Sequence, residues 1–293
     1  MPYKENKLKQ LGKSSISATD IASQFWCEKQ MELNYLYGKK YTEQMRRGRQ
    51  IHETLQAETF IPLTVEPVTY ADYMYKVGYE DYLALKTLDE KGICRELQIY
   101  GSLNGYRIVG KIDELRKENE STRIIELKTI ETNARIAAFD EAKIKLHTVQ
   151  IMLYKKLLDS IKKREYTLYN FAKSYGIESL KLSDTFLRGL HAIGIKEEFA
   201  NIGEIYRMVF DAISALPPIS EKLELRYIDR FSGKQTSSII INYSEEKINS
   251  QLKFALGYWN GDREALPVSE EEKWKCKLCK FYGKECKVWW NGD

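Results

Sequence analysis

The chain is short of the features that would set it apart from ordinary folded proteins. Its 293 residues include no apolar run long enough to span a bilayer. The opening Met1-Pro2-Tyr3-Lys4-Glu5-Asn6 has no apolar core of a secretion signal. These absences argue against a membrane protein. They point to an intracellular one, cytoplasmic in a prokaryote and nuclear or mitochondrial in a eukaryote. Cysteine is sparse, and five cysteines in a reducing compartment are better explained as ligands or free thiols than as disulfides. Histidine is sparser still, with only His52, His147 and His191. The net charge of +4 permits a polyanionic partner without demanding one. No internal repeat is present. What remains, 43% hydrophobic and 30% charged residues, is the composition of a soluble globular protein, and the length allows one large domain or two small ones.

Charge is more informative locally than in total. Lys39, Lys40, Arg46, Arg47 and Arg49 crowd one region, Lys155, Lys156, Lys162, Lys163 and Arg164 a second, and Lys273, Lys275, Lys277, Lys280, Lys284 and Lys287 a third. Each alone reads most simply as a solvated face. Twenty Tyr and five Trp strengthen a nucleic-acid reading, because bases stack on aromatic rings while Lys and Arg follow phosphates. Most of those rings still belong in a core.

Periodicity and punctuation outline the elements. Residues 1–16 read as a flexible basic tail. Ser17 caps a helix that runs to Gly38 and carries Cys27. A second helix covers about 42–56, with Gly48 and His52 one turn apart, and a third covers 71–88. Strands are expected at 96–100, 106–115 and 124–130, the first two joined by Asn104-Gly105, the strongest hairpin signal in the chain. A helix follows over 140–163, with Ile144, Val149, Ile151, Leu153, Leu157 and Leu158 at helical spacing. Helices starting at Ser183 and Gly203, strands near 223–228 and 238–243, and a helix over 245–259 lead to the C-terminal cysteines. The fold class is therefore α+β, a small mixed sheet flanked by many helices. It divides into an N-terminal helical region (17–90), a small α/β core (91–165), an extension (166–262) and a cysteine-bearing segment (263–293), all within one domain.

Two patterns carry chemistry. Cys27 lies far upstream of Cys276, Cys279 and Cys286, which are spaced C-x2-C-x6-C. Four thiolates satisfy a tetrahedral zinc or an iron–sulfur cluster, and spacing alone does not choose between them. Cys94 falls outside this set and reads as a small buried hydrophobe. The second pattern is Gly110-Lys111-Ile112-Asp113 followed by Glu126-Leu127-Lys128. On adjacent strands, Asp113 and Glu126 reach one end of the sheet, and Glu126 and Lys128, two apart, face the same side. Such carboxylates suit Mg²⁺ or Mn²⁺, with the lysine orienting a water or neutralising developing charge. A surface ion pair is the plainer alternative. Gly48 and His52 share a helix face, where the small residue permits close packing and the imidazole a metal contact, although a lone histidine is more often structural. Gln150 and Tyr154 share a face of the helix after the metal strands, although Tyr154 could equally be a core ring.

These residues, in this order, resemble the RecB-like branch of the PD-(D/E)XK nucleases, whose signature G-x-x-x-H, G-x-x-D, E-x-K and Q-x-x-x-Y matches Gly48/His52, Gly110/Asp113, Glu126/Lys128 and Gln150/Tyr154. One cysteine before the first motif and three near the C-terminus match an iron–sulfur subgroup. Ser23-Gln24-Phe25-Trp26-Cys27-Glu28 and Glu272-Lys273-Trp274-Lys275-Cys276-Lys277-Leu278-Cys279 look like the exonuclease V family in particular, and the resemblance covers nearly the whole chain. It implies that His52, Asp113 and Glu126 hold the metal, with Glu96 as a further ligand. It implies that Lys128 is catalytic alongside Asp113 and Glu126, and that Gln150 and Tyr154 line the site. It implies a 4Fe–4S cluster on Cys27, Cys276, Cys279 and Cys286 that joins the two ends of the chain. The expected protein is a monomeric, metal-dependent exonuclease that digests single-stranded DNA from free ends in replication or repair. Arg47 and Arg49 would contact the DNA, and a single-strand-binding protein is an expected partner. A CRISPR-associated nuclease shares every motif and is the alternative enzyme. A non-catalytic single-strand-binding module is disfavoured because Asp113, Glu126 and Lys128 are all present.

Overall fold

The computed structural model describes residues 6–131, 138–195 and 201–290. Among them, six strands form one mixed sheet, β1 (Ile16–Ser17), β2 (Ile93–Leu103), β3 (Tyr106–Lys117), β4 (Thr122–Ile130), β5 (Lys222–Asp229) and β6 (Gln235–Asn242). The hairpin joining β2 and β3 turns at Asn104 and Gly105, which hold φ of 49° and 80°. Both angles lie in the left-handed region that a tight two-residue hairpin turn requires. β4 and β5 run parallel, as do β1 and β3, and the other pairs are antiparallel.

One irregularity of this sheet positions everything that follows. β3 is paired along one edge by β2 from Leu103/Tyr106 to Ile93/Arg116. On its other edge it pairs with β1 at Ile108 and Val109, and with β4 from Glu114 to Lys117. Between those two stretches, at Gly110–Asp113, β4 has diverged toward β5 and the edge of β3 is left open. The sheet therefore forks. Asp113 closes the crotch of the fork, its Oδ2 accepting the Leu127 backbone N–H at 2.7 Å.

Helices cover both faces. α4 (Tyr70–Lys91), α5 (Ala138–Lys162) and α8 (Ile202–Ala215) enclose the main core, in which Tyr75, Leu97, Ile112, Ile151 and Tyr206 are buried. α4 starts at a capping box formed by Thr69 and Asp72 and ends at Gly92, whose φ of 75° suits a C-terminal glycine. On the opposite face, α3 (Glu43–Ala57) packs Ile51 and Leu55 onto Ile125, Leu127 and Ile228 in a separate small cluster. A Cβ at Gly48 would lie 3.1 Å from Thr129 Oγ1, so the small residue lets α3 approach β4 closely. Cys94 is fully buried, as its sequence context suggested.

One expectation is corrected. The basic start is packed from Asn6 onward instead of loose, while residues 1–5 lie outside the described residues. α1 (Lys7–Gln10) buries Leu8, Lys7 Nζ meets Glu264 at 3.0 Å, Ile16 is fully buried, and the Ser14 carbonyl accepts Arg107 Nε at 2.9 Å. Tertiary partners, absent from any local pattern, order this segment. A further helix, α6 (Leu168–Tyr175), also went unread, although its Thr167/Asn170 capping box is a local signal.

α2 (Ala18–Tyr37) and the C-terminal region clasp each other. Within α2, Gln24 and Glu28 are buried; Gln24 accepts Trp259 Nε1 at 2.9 Å, and Glu28 takes Arg263 Nη2 at 2.9 Å and Leu266 N–H at 2.8 Å. Trp259 ends α9 (Glu245–Trp259). Buried carboxylates are costly unless paired and hydrogen-bonded, and Glu28 is both.

Candidate active site and the four-cysteine pocket

The fork opens into a cavity of about 340 Å³. Its lining includes His52 from α3, Lys111 and Asp113 from β3, Glu126 and Lys128 from β4, and Gln150 and Tyr154 from α5. Ser17, Ala18 and Thr19 at the start of α2 complete it, brought there by the β1–β3 pairing. Four sequence motifs from two helices and two strands thus converge on one space.

His52 Nδ1 lies 2.7 Å from Glu96 Oε1 and 3.5 Å from Asp113 Oδ1. These three residues place ligand atoms within 4.8 Å of one another, close enough to share one cation. Glu126 is 1% exposed; Lys128 Nζ engages its Oε1, while its Oε2 is buried without a hydrogen-bond partner. A buried carboxylate oxygen with no hydrogen-bond donor on it is a suitable ligand for a divalent cation. Lys128 also stands 3.5 Å from Gln150 Oε1, and Gln150 Nε2 donates to Tyr154 Oη at 2.7 Å. Glu126 and Lys128 share a face as the strand period requires.

The electrostatics follow from crowding. Burial and the neighbouring Asp113 charge push the Glu126 carboxyl up to about 8, against the pull of Lys128. Burial likewise raises Asp113, opposed by the charges of His52 and Lys128. Burial works against charging His52, but its hydrogen bond to Glu96 and the Asp113 charge carry it up to about 9. Glu96 is held below the usual carboxylate range despite its burial, by His52 and by Lys111, whose Nζ is 2.9 Å away. A divalent ion bound among these groups would displace protons from them.

Glu96 occupies a strained backbone. Its φ is 57° in the middle of β2, opposite Asp113, where the ladder pairs Arg95 and Leu97 but skips Glu96. A left-handed non-glycine residue costs about 1–2 kcal/mol, and such strain clusters at functional positions. Gly110 has a different necessity: a Cβ there would sit 2.5 Å from Tyr154 Cε1. The glycine of one motif thus makes room for the tyrosine of another.

Arg47 and Arg49 stand apart from the cavity on the same helix as His52. Arg47 pairs with Glu43 at 3.0 Å and lies 5.2 Å over the Phe231 ring, and Arg49 lies 5.0 Å over Tyr41. Sequence reasoning gave no role to Lys111, which lines the cavity and pairs with Glu96. The available signal was its position two residues before Asp113 on one strand, which places both on one face.

The four cysteines meet 249 residues apart in sequence (276 − 27), in a pocket walled by Trp26, Val268 and Tyr282. α2 breaks at Cys27, whose φ of −166° and ψ of 109° are extended. The break turns its thiol to the pocket, where Sγ accepts the Gln30 N–H at 3.4 Å. Burial pushes the Cys27 thiol up to about 11, the Gln30 and Val268 amides pulling the other way, and burial raises Cys276 with Cys286 and Cys279 nearby. Lys275 lines the same pocket, 2% exposed, paired with Glu272 at 2.8 Å and set 4.7 Å from the Trp26 ring.

Comparison with known proteins places the chain. The solved crystal structure of SSO0001 aligns with a TM-score of 0.37 and 15% identity, over 92% of this chain and 84% of that one, a likeness too loose to argue from. Exonuclease V of Danio rerio is 25% identical over 285 residues, covering 92% of this chain and 69% of that protein. The family profile described as exonuclease V, a 5′ deoxyribonuclease, matches residues 5–126, 116–208 and 197–290. The match runs through both the fork and the cysteine pocket, and the chain belongs to the exonuclease V family.

Proposed function

We propose that this protein is a metal-dependent deoxyribonuclease of one continuous PD-(D/E)XK-type domain, which degrades single-stranded DNA from a free 5′ end. One observation carries the reading: His52, Glu96 and Asp113 converge at the open edge of β3, beside a buried Glu126 whose Oε2 has no partner. The family supplies the deoxyribonuclease activity and the 5′ direction.

His52, Asp113 and Glu126 would hold Mg²⁺ or Mn²⁺, with Glu96 beside them. A bound divalent ion polarises the scissile phosphate and acidifies a water. Lys128, fixed between Glu126 and Gln150, directs its ammonium at the same space and neutralises charge as it develops. Tyr154, locked by Gln150 and seated over Gly110, fixes the floor. Because His52 must lose its proton to bind a cation, metal affinity should rise with pH.

The cysteine pocket would carry a 4Fe–4S cluster. Its donors are all sulfur, and the Gln30 and Val268 amides at Cys27 offset part of the burial that disfavours a thiolate. Thiolates on one tetrahedral zinc lie about 3.8 Å apart, from Zn–S bonds of about 2.3 Å. Among the described residues only His52, Glu96 and Asp113 form a set with ligand atoms all within 4.8 Å, and the thiols are spread more widely around their pocket. That spread suits a cluster better than a single ion. Its role would be to fasten α2, and with it the Ser17–Thr19 wall of the cavity, to the C-terminal segment.

Linear and circularised forms of one end-labelled oligonucleotide, with EDTA and Glu126→Ala controls, test the reading. Linear single strands should be shortened only with divalent metal and intact Glu126, while circles and blunt duplexes resist. Equal cleavage of the circle would leave an open-cleft endonuclease as the better description.

A further inference from the structure

Beyond the cavity, an aromatic ring stands in solvent where the catalytic strands end. Phe231 is 65% exposed on the turn between β5 and β6. The turn is firmly braced. Asp229 Oδ1 accepts the N–H groups of Phe231 at 3.1 Å and Ser232 at 2.7 Å and the Ser232 hydroxyl at 2.8 Å, and the Arg230 N–H donates to the Ile130 carbonyl at 2.8 Å. A rigid turn is thus holding out a ring that gains nothing from burial. Its chain neighbours Arg230, Ser232, Gly233 and Lys234 are basic or polar. From Arg230 to Lys234 the chain offers no second large apolar side chain beside the ring.

One face of the ring is already occupied. The Arg47 guanidinium lies 5.2 Å from its centroid, held there by an ion pair from Nε to Glu43 at 3.0 Å. A cation over one face of a ring leaves the other for stacking.

The placement relates this pair to the cavity. Tyr227 is the register partner of Lys128, and Phe231 follows it by four residues, at most about 13 Å along the strand at about 3.3 Å per residue. Arg47 precedes His52 by five residues, about 7.5 Å along α3 at 1.5 Å per residue. Gly48, next to Arg47, is the contact point of α3 with β4. The pair therefore stands at the mouth of the fork, a few nucleotides from the cation site, and Lys39, Lys40, Arg46 and Arg49 lie in and just before the same helix.

We propose that Phe231, backed by Arg47, is a stacking site for one unpaired nucleobase of the substrate strand. It rests on the reading that the substrate is single-stranded DNA, and supplies a physical reason for that preference. A base within a duplex is stacked on both faces and offers none to Phe231, whereas a single strand does so without melting. The site reads a π-face and no hydrogen-bonding edge, so it is indifferent to sequence.

The test is equilibrium binding, by fluorescence anisotropy in EDTA so that nothing is cleaved, of a labelled linear oligothymidylate and of copies with one abasic position moved along the strand. Stacking of one base on an aromatic ring corresponds to about a 5- to 150-fold change in affinity. Phe231→Ala should weaken binding within that range with an unchanged salt slope, and Phe231→Trp should restore it. With the wild type, one abasic position should weaken binding by a similar factor, and Phe231→Ala should erase that position's effect. The ring is exposed, so the variants should melt with the wild type, which separates a lost contact from a lost fold. Tight wild-type binding that neither Phe231→Ala nor any abasic position alters would overturn the stacking site and leave the single-strand reading standing. A wild type that does not bind the linear oligonucleotide would overturn both.

Discussion

Replacing Glu126 with glutamine should stabilise the cation-free protein while destroying the cation site. The carboxyl is 1% exposed, faces Asp113, and has one oxygen unpartnered. These conditions lift it from an ordinary 4.5 to about 8 in the folded state. A carboxyl raised by folding contributes its full stability below its unfolded value and loses it as pH climbs toward the folded one. The window therefore runs from about 4.5 to about 8. Within it each pH unit removes about 1.4 kcal/mol, so at pH 7 the wild type has given up about 3 kcal/mol. Glutamine has the same shape and no proton to lose. In EDTA, with the cysteine site loaded and oxygen excluded, Glu126→Gln should exceed the wild type by about 2–3 kcal/mol at pH 7 and by less than about 1 kcal/mol at pH 5. For a chain of this size that is about 3–5 °C in Tm at the higher pH. Mn²⁺ at about 1,000 times its Kd should reverse the order, since it adds about 4.1 kcal/mol to the protein that binds it. A variant no more stable than the wild type at pH 7, or a gap that ignores pH, would refute the electrostatic account of this site.

Three further outcomes follow from the geometry. Cys279→Ala should remove the brown colour and acid-labile sulfide of anaerobically purified protein and lower its Tm, because the tie between α2 and the C-terminal segment is lost; stoichiometric zinc without sulfide in the wild type would point to the other thiolate metal. Glu96→Gly and Glu96→Ala remove the same carboxylate, but only glycine accepts a φ of 57° without strain. Urea unfolding should find the glycine variant more stable by about 1 kcal/mol, and equal stabilities would mean that β2 relaxes at this point. Gly110→Ala would place a methyl 2.5 Å from the Tyr154 ring. The ring must move, at about 1–3 kcal/mol, and the Gln150–Tyr154 hydrogen bond should weaken with it, which the Tyr154 ring resonances would report.

Much of the site was legible because each motif is local. The four-residue steps from Gly48 to His52 and from Gln150 to Tyr154, and the two-residue step from Glu126 to Lys128, fix which side chains share a face before any tertiary structure is known. Asn104-Gly105 set the β2–β3 register in the same way. What could not be read depends on where strands part. Nothing in residues 110–113 announces that β4 leaves β3 there, since divergence is decided by what β5 offers β4 on its other edge. The left-handed Glu96 was equally hidden, because glutamate gives no hint of a positive φ. The N-terminal stretch went wrong for a related reason: a two-residue strand with a parallel partner about 90 residues away, and one buried Leu8, carry no period. Gly110 shows the converse, a residue seen in one motif whose reason lies in another.

The clasp between α2 and the C-terminal segment has a consequence for how the chain is made. Gln24 and Glu28 leave the ribosome 235 to 238 residues before their partners Trp259, Arg263 and Leu266, and Cys27 leaves well before Cys276. At about 5–20 residues per second the 249 residues between Cys27 and Cys276 take about 12–50 s to synthesise. For that time α2 holds a buried-type carboxylate without its arginine and a thiol without its companions. The buried polar groups of α2 thus wait for the C-terminal segment, whereas the Ser17–Thr19 wall is already placed by the β1–β3 pairing.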